Sequence, residues 1–534
     1  MRFFQAQSNG SATFGVDATR SERQSVQEES ESFPKRSRRA EQPTIRIPAK
    51  EVIRGFFKSL EEKCVRSCHW KSNIRLDETL AGNEDIDLLV HRRDAVPFHA
   101  ALLENGFKLA QSRSGIGHPG VFHALSLDEV SGDLVHLHAY HQIVSGDSLV
   151  KNYRWQIEDV LLGQTRYMQG IKVPVPEAEL VLFALRIALK HVNLVEILMV
   201  NHHYQKVSSE MAWLRAAADA DKAAALCTAV FPAIEPALFG QLLDAIENDG
   251  ALAHRVVLGW RVAWRLRDQR RLGHMLGSAS RLRRLLFLVL GRFRGRKDMV
   301  LQTGGLIVAL VGPKATGKST LTQELATRLG KHLDVHPIHA GKPPLTALTL
   351  VPRVFMPIAR RLFRNERPSE YERPERRQEK RFSLIYVLHM TLLAYERRKL
   401  LRRALRTATA GGIVISDRYP SANTGAIDSS CFDESAVAKC GSPLKRWLMN
   451  TERALYKGLP KPDLIIRLIA PMDLSIQRDA HRVKEGGPDS QAIERRWGLE
   501  TQADFGGLPI VEINTNQPLD ETTRDVVATV WAAL

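Results

Sequence analysis

At 534 residues the chain is too long for a single hydrophobic core, so two to four domains are expected. A composition of 44% hydrophobic and 25% charged residues excludes a chain disordered throughout, and five cysteines are too few for a disulfide scaffold. The formal net charge of +17 calls for anionic partners, and without a nucleic-acid recognition module those are expected to be nucleotides and other small phosphates.

Residues 1–48 are rich in Ser, Gln, Glu and Arg and poor in large apolar residues, so a disordered tail is expected. From residue 49 the pattern becomes that of an α+β domain ending near 175. "EVIRGFFKSLEEKC" has helical spacing, "DIDLLVH" reads as a strand, and "VPFHAALLENGF" is a helix closed by Gly106. "VFHALSLDEVSGDLVHLHAYHQIV" reads as two strands around a Ser-Gly-Asp turn. Cys64, Cys68 and His69 lack a second ligand pair and read as ordinary thiols and a ring rather than a metal knuckle. Residues 176–300 keep a helical period and read as a connector, in which "LRRLLFLVLGRF" (282–293) is too short to cross a membrane and is expected to be a core helix. No membrane span and no signal-peptide core stand out, so a cytoplasmic location is expected.

Within the first domain, Asp85 and Asp87 alternate along a strand and so present both carboxylates to one side, where they could share a divalent metal. With Gly82 before them, "GNEDIDLLV" resembles the metal-binding strand of the DNA-polymerase-beta-like nucleotidyltransferases. The resemblance implies a third carboxylate on a later strand, for which Asp133 is the candidate, and His136 and His138 could replace or supplement it. Lys71-Ser72 stands where that superfamily carries a Gly-Ser pair that binds triphosphate.

"GGLIVALVG" opens a third region, 301–534, with an apolar run suited to a strand covered on both faces. Similar runs at 411–416, 463–470 and 509–515, separated by helical stretches, indicate an α/β domain with a parallel sheet. Gly312-Pro313-Lys314-Ala315-Thr316-Gly317-Lys318-Ser319-Thr320 follows the first of these strands and precedes a helical run, the context of a phosphate-binding loop. In such a loop the backbone N–H groups face phosphate oxygens, Lys318 reaches the outer phosphates, and the Ser319 hydroxyl ligates Mg²⁺.

This loop, the strand ending in Asp417-Arg418-Tyr419, and "PDLIIRLIA" followed by "DLSIQRDAHRVK" together resemble the thymidylate kinase family of nucleoside-monophosphate kinases. The resemblance implies ATP and Mg²⁺ held by Lys318 and Ser319, with Asp417 near the metal and Arg418 on the acceptor's phosphate. It also implies a lid carrying Arg478, Arg482 or Lys484 over the transferred phosphoryl group. Lys314 replaces the acid that commonly meets the acceptor's sugar, and Ala315 stands where some members have an arginine. The expected activity is therefore ATP-dependent phosphorylation of a small phosphorylated or hydroxylated acceptor that need not be thymidylate. Two alternatives stay open: nucleotidyl transfer to a sugar, metabolite or protein by the first domain, and an ATP-binding regulatory protein without kinase turnover. The reading leaves room for a homodimer.

Overall fold

Two sheets organise the chain, and the hydropathy of their strands explains why one is mixed and the other wholly parallel. The computed structural model describes residues 49–113, 117–193, 204–248, 251–293, 299–344, 382–424, 428–480 and 503–534, with isolated positions at 196, 197, 202, 494, 497, 500 and 501. The expected tail at 1–48 and the lid residues Arg482 and Lys484 lie outside the described residues.

The first sheet contains β1 (Ser67–His69), β2 (Ile86–Val90), β3 (Lys108–Ser112), β4 (Val121–Asp128) and β5 (Asp133–Tyr140). Two small hairpins follow, β6 (Ile143–Ser145) with β7 (Tyr153–Trp155) and β8 (Thr165–Met168) with β9 (Ile171–Pro174). A later strand, β10 (Met299–Leu301), completes the sheet in the order β1-β2-β5-β4-β3-β10. Only β2 and β5 run parallel; the other pairs are antiparallel. One face carries Ile86, Leu88, Val135, Leu137 and Ala139, which pack on Ile53 and Phe56 of helix Glu51–Glu62 and on Phe98 of helix Ala95–Glu104.

The opposite face is divided. Leu125, Leu127 and Leu134 enter a core with Leu306, Val308, Leu310, Leu321 and Leu325 from the region of the phosphate-binding motif. Each such buried Leu or Val contributes roughly 1.5–3 kcal/mol of transfer free energy, so this junction is a core and not a linker. Asp85, Asp87, His123, His136 and His138 occupy the same face, in a register that sets His123 opposite His138 and Asp87 beside it.

Among the described residues, helices follow at Pro176–Lys190, Tyr204–Ala217, Ala220–Val230, Pro236–Glu247 and Leu252–Arg265. Pro176 opens the first of them at a position where its missing N–H costs nothing, and the helix is buried on nearly every side. Helix His274–Phe293 departs from expectation. The segment read as a core helix exposes Leu282, Leu285, Leu286, Leu288 and Phe293. Its anchors are polar instead, with Arg281 paired to Asp147 and Arg284 donating to the Gly117 carbonyl.

The second sheet is wholly parallel, with β11 (Ile307–Val311), β12 (Val335–His339), β13 (Ile413–Asp417), β14 (Leu464–Ile469) and β15 (Ile510–Asn514) in the order β12-β13-β11-β14-β15. Every residue of β11 and β13 is buried, as a strand with helices on both faces requires. Leu321 and Leu325 of helix Lys318–Leu329 and Val526 and Val530 of helix Leu519–Ala533 cover one face. Leu401, Ala404 and Ala408 of helix Leu384–Thr409 cover the other. The apolar runs mark β11, β13, β14 and β15 but not β12, whose "VHPIH" is half-buried and lies at the sheet edge, where a proline is tolerated.

Candidate functional site

The loop between β11 and helix Lys318–Leu329 is shaped by two glycines. Gly312 has φ +135°, and a Cβ there would lie 2.4 Å from the Leu468 carbonyl oxygen of β14, so any other residue would displace that strand. Gly317 has φ +93° and turns the chain into the helix. Ala315 also takes a left-handed conformation, at φ +65°, a strain on the order of 1–3 kcal/mol that a buried loop must hold in place. The Thr316 hydroxyl donates to the Pro313 carbonyl at 2.9 Å and helps to do so.

The Lys318 ammonium is buried and curls back over the loop, donating to the Gly312 and Pro313 carbonyls at 2.7 and 2.5 Å. Ser319 Oγ donates to Asp417 Oδ2 at 2.5 Å. Asp417 ends β13, and its other oxygen, Oδ1, is buried without a hydrogen-bond donor. A hydroxyl beside a buried carboxylate with an oxygen to spare is a donor set that fits Mg²⁺, which takes oxygen ligands. Ser319 stands in the first turn of helix Lys318–Leu329 and Asp417 at the end of β13, the strand paired with β11 from which the loop leaves.

Lys318 lines a cavity with Gly312, Arg418, Tyr419, Asp428 and Phe505. Arg418, at φ +73°, lies 3.4 Å from Asp428 Oδ2. Arg397 is buried and donates to Asp428 Oδ1 at 2.9 Å and to the Ala340 carbonyl at 2.8 Å, so two guanidinium groups share one carboxylate. Sequence reasoning missed Arg397 and Asp428. The available signal was the position of Arg397 one turn before Leu401, on the buried stripe of its helix.

Two other expected residues are held by partners of their own, although Lys314 still lines a cavity with Lys318, Ser319, Asp417 and Arg418. The Lys314 ammonium is 2.9 Å from Asp479 Oδ2, and Asp479 is buried at the end of helix Met472–Ala480. Its charge is therefore compensated within the fold. Arg478 donates to the Thr515 carbonyl at 2.8 Å and lines a separate cavity with Ala315, Thr320 and Gln517. The structure thus gathers Lys318, Ser319, Asp417 and Arg418, and sets Arg478 apart from Arg418.

The first sheet carries the second constellation. Asp85 Oδ1 is 2.9 Å from His136 Nδ1, and Asp87 Oδ1 is 2.7 Å from the Lys71 ammonium and 3.4 Å from His138 Nδ1. Burial, the largest single influence, pushes both carboxyls up, but His136 and His138 together outweigh it and hold Asp85 down at about 2, and Lys71 with His138 holds Asp87 far below the carboxylate range. Burial lowers His123 and His138. Asp133, the expected third carboxylate, does begin β5 but lies on the face opposite His136 and is paired with Lys50 at 3.0 Å. His136 and His138 stand beside Asp85 and Asp87 instead. Lys71 lies over the rings of Trp70 and Tyr140, at 5.5 and 5.4 Å from their centroids, and Lys151 lies 5.1 Å from that of Tyr140, so cations line the other side of Asp87.

No protein-family model matches the chain. The protein of Escherichia coli K12 named "Uncharacterized ATP-binding protein YghR" is 26% identical over 222 residues, 40% of this chain and 82% of that protein. A second protein of that strain, "Uncharacterized ATP-binding protein YghS", is 27% identical over 237 residues, 43% of this chain and 93% of that protein. Both are distant homologues. Among solved structures, thymidylate kinase from Candida albicans aligns with 42% of this chain and 91% of its own at 17% identity and a TM-score of 0.27.

Proposed function

We propose that the region from β11 to the C-terminus binds ATP with Mg²⁺ and transfers the γ-phosphoryl group to a small phosphorylated or hydroxylated acceptor, as a kinase of the nucleoside-monophosphate type. The observation that carries this reading is the Ser319–Asp417 pair at 2.5 Å beside the buried Lys318 ammonium, in a loop where a Cβ at Gly312 would collide with β14 and Gly317 holds a left-handed φ. The names of the distant homologues support the nucleotide.

Ser319 and Asp417 would hold Mg²⁺, which when bound offsets charge on the phosphate oxygens. The loop N–H groups between Gly312 and Lys318, at the N-terminus of helix Lys318–Leu329, would present partial positive charge to an anion. Lys318 leaves the Gly312 and Pro313 carbonyls for the phosphate oxygens; the carbonyls hold it in place until then. Arg418, oriented by Asp428, takes the acceptor's anionic or hydroxyl-bearing end on the other side of Lys318. Phosphoryl transfer spreads charge over oxygens more than it rearranges bonds within the protein, so fixed cations are what the site must supply. Because Lys314 is neutralised by Asp479, acceptor choice falls to the Arg418, Asp428 and Tyr419 side of the cavity. Its chemistry suits a compact phosphate or hydroxyl compound, in a cytoplasmic setting.

The test is incubation with γ-labelled ATP and a panel of nucleoside monophosphates, sugar phosphates and unphosphorylated sugars. Label in a soluble acceptor, lost in Lys318→Ala, supports the reading. Binding of ATP without transfer to any acceptor favours a regulatory ATP-binding protein. The nucleotidyltransferase alternative rests on the paired Asp85 and Asp87 beside the cations Lys71 and Lys151, and predicts movement of α label instead.

A further inference from the structure

Three histidines from two strands converge on the face of the first sheet that meets the second. His123 stands on β4, His136 and His138 on β5, and the antiparallel register makes His123 the direct partner of His138 and a diagonal neighbour of His136. Their rings are packed with centroids 4.4–5.3 Å apart, and each offers a ligand nitrogen within 4.8 Å of the others. His123 Nδ1 lies 3.1 Å from His136 Nε2.

We propose that His123, His136 and His138 bind one divalent transition-metal ion of the zinc class, with Asp85 as the positioning carboxylate behind His136. Two nitrogens held at 2.0–2.1 Å on a tetrahedral ion are about 3.3 Å apart, close to the separation observed. Three imidazoles suit zinc, copper or nickel and not magnesium. The far nitrogen of His136 is 2.9 Å from Asp85 Oδ1, the carboxylate–histidine arrangement that fixes ring orientation and raises the basicity of a ligating ring. A second set, Asp85, His136 and His332, also lies within 4.8 Å, and His332 comes from the turn between helix Lys318–Leu329 and β12. The cluster thus touches both sheets.

Access is open on two sides. The Asp85 side chain is 41% exposed, and His123 lines a cavity with Phe122, His118 and Arg284. The alternative account of the 3.1 Å contact is an N–H···N hydrogen bond between two rings with no ion involved. The two accounts predict different behaviour with metal alone, and neither depends on phosphoryl transfer.

The experiment uses the full chain stripped with a chelator and titrated with Zn²⁺ by calorimetry and with Co²⁺ by visible absorption. The expected result is one ion per chain, the intense absorption of four-coordinate Co²⁺, and a higher Tm with Zn²⁺. His123→Gln and His136→Gln should weaken binding at least 100-fold, and Asp85→Asn about 10- to 100-fold. His254→Ala, an exposed histidine elsewhere, should leave it unchanged. Absence of stoichiometric binding to the wild-type chain overturns the proposal, and that holds whether or not the variants fold. Equal affinity in folded His136→Gln, shown by an unchanged circular dichroism spectrum, overturns it as well.

Discussion

The two constellations are assembled in opposite ways. Around β11 the key groups come from a nine-residue loop plus Asp417, so short-range sequence determines most of the geometry. On the first sheet, Asp85, Asp87, His123, His136 and His138 come from three strands, and only pairing brings them together. The first arrangement holds a buried cation, Lys318, over carbonyls; the second holds half-buried carboxylates against Lys71 and His136. A loop is specified by its own residues, whereas a cross-strand cluster depends on register, and a one-residue slip would send every member to the other face.

The sharpest way to break this contrast is Lys318→Ala. It should lower phosphoryl transfer on the order of 10³-fold, about 4 kcal/mol of transition-state stabilisation, while leaving the secondary structure unchanged. A smaller loss would mean that the loop lysine is structural. Asp417→Asn keeps the hydrogen bond from Ser319 but removes the charge. A fall of roughly 10²-fold in kcat, partly recovered at high Mg²⁺, is expected, and a rate insensitive to Mg²⁺ would remove Asp417 from the metal.

Lys314 provides a test of stability separate from chemistry. Lys314→Glu sets two carboxylates against each other around the buried Asp479 and should cost about 3 kcal/mol in denaturant unfolding. Asp479→Asn made in the same background should recover much of that loss. If Lys314→Glu instead leaves stability unchanged and alters the choice of acceptor, the lysine belongs to the substrate site.

The smallest effect concerns pH. Glu179 is buried in helix Pro176–Lys190, accepts a hydrogen bond from the Asn73 backbone N–H at 3.2 Å, and is pushed up to about 7 by burial. Its protonated form is favoured in the folded chain, so its contribution is complete below pH 4.5 and is lost as pH rises through 7. Glu179→Gln should therefore stabilise the chain by about 2 kcal/mol at pH 8 and by much less at pH 4.5. Equal Tm shifts at both values would show that burial leaves the Glu179 carboxyl unshifted.

How much was legible follows from the same contrast. The apolar runs of β11 and β13 and the spacing of Gly312, Gly317 and Lys318 can be read without tertiary knowledge, because backbone sterics and burial on both faces leave few alternatives. The Lys314–Asp479 pair spans 165 residues, and no local pattern links its members. Arg397 and Asp428 escaped for the same reason. His136 and His138 were visible as an alternating pair, but His123 joins them only through the β4–β5 register, and His332 only through packing of one sheet on the other. Alternation alone sets Asp133 on the face opposite His136 and His138, but only the β2–β5 register decides which of those faces receives Asp85 and Asp87. Strand β12 escaped because Pro337 and its flanking histidines suit an edge, not an apolar run.

The most direct measurement of the central claim is transfer from ATP labelled at the γ or the α position, made with the wild-type chain, Lys318→Ala, and the double variant Asp85→Asn/Asp87→Asn. The account predicts γ label in a small acceptor, lost with Lys318→Ala and retained in the double variant. Transfer of α label, or γ transfer that survives Lys318→Ala and disappears with the two aspartates, would contradict it.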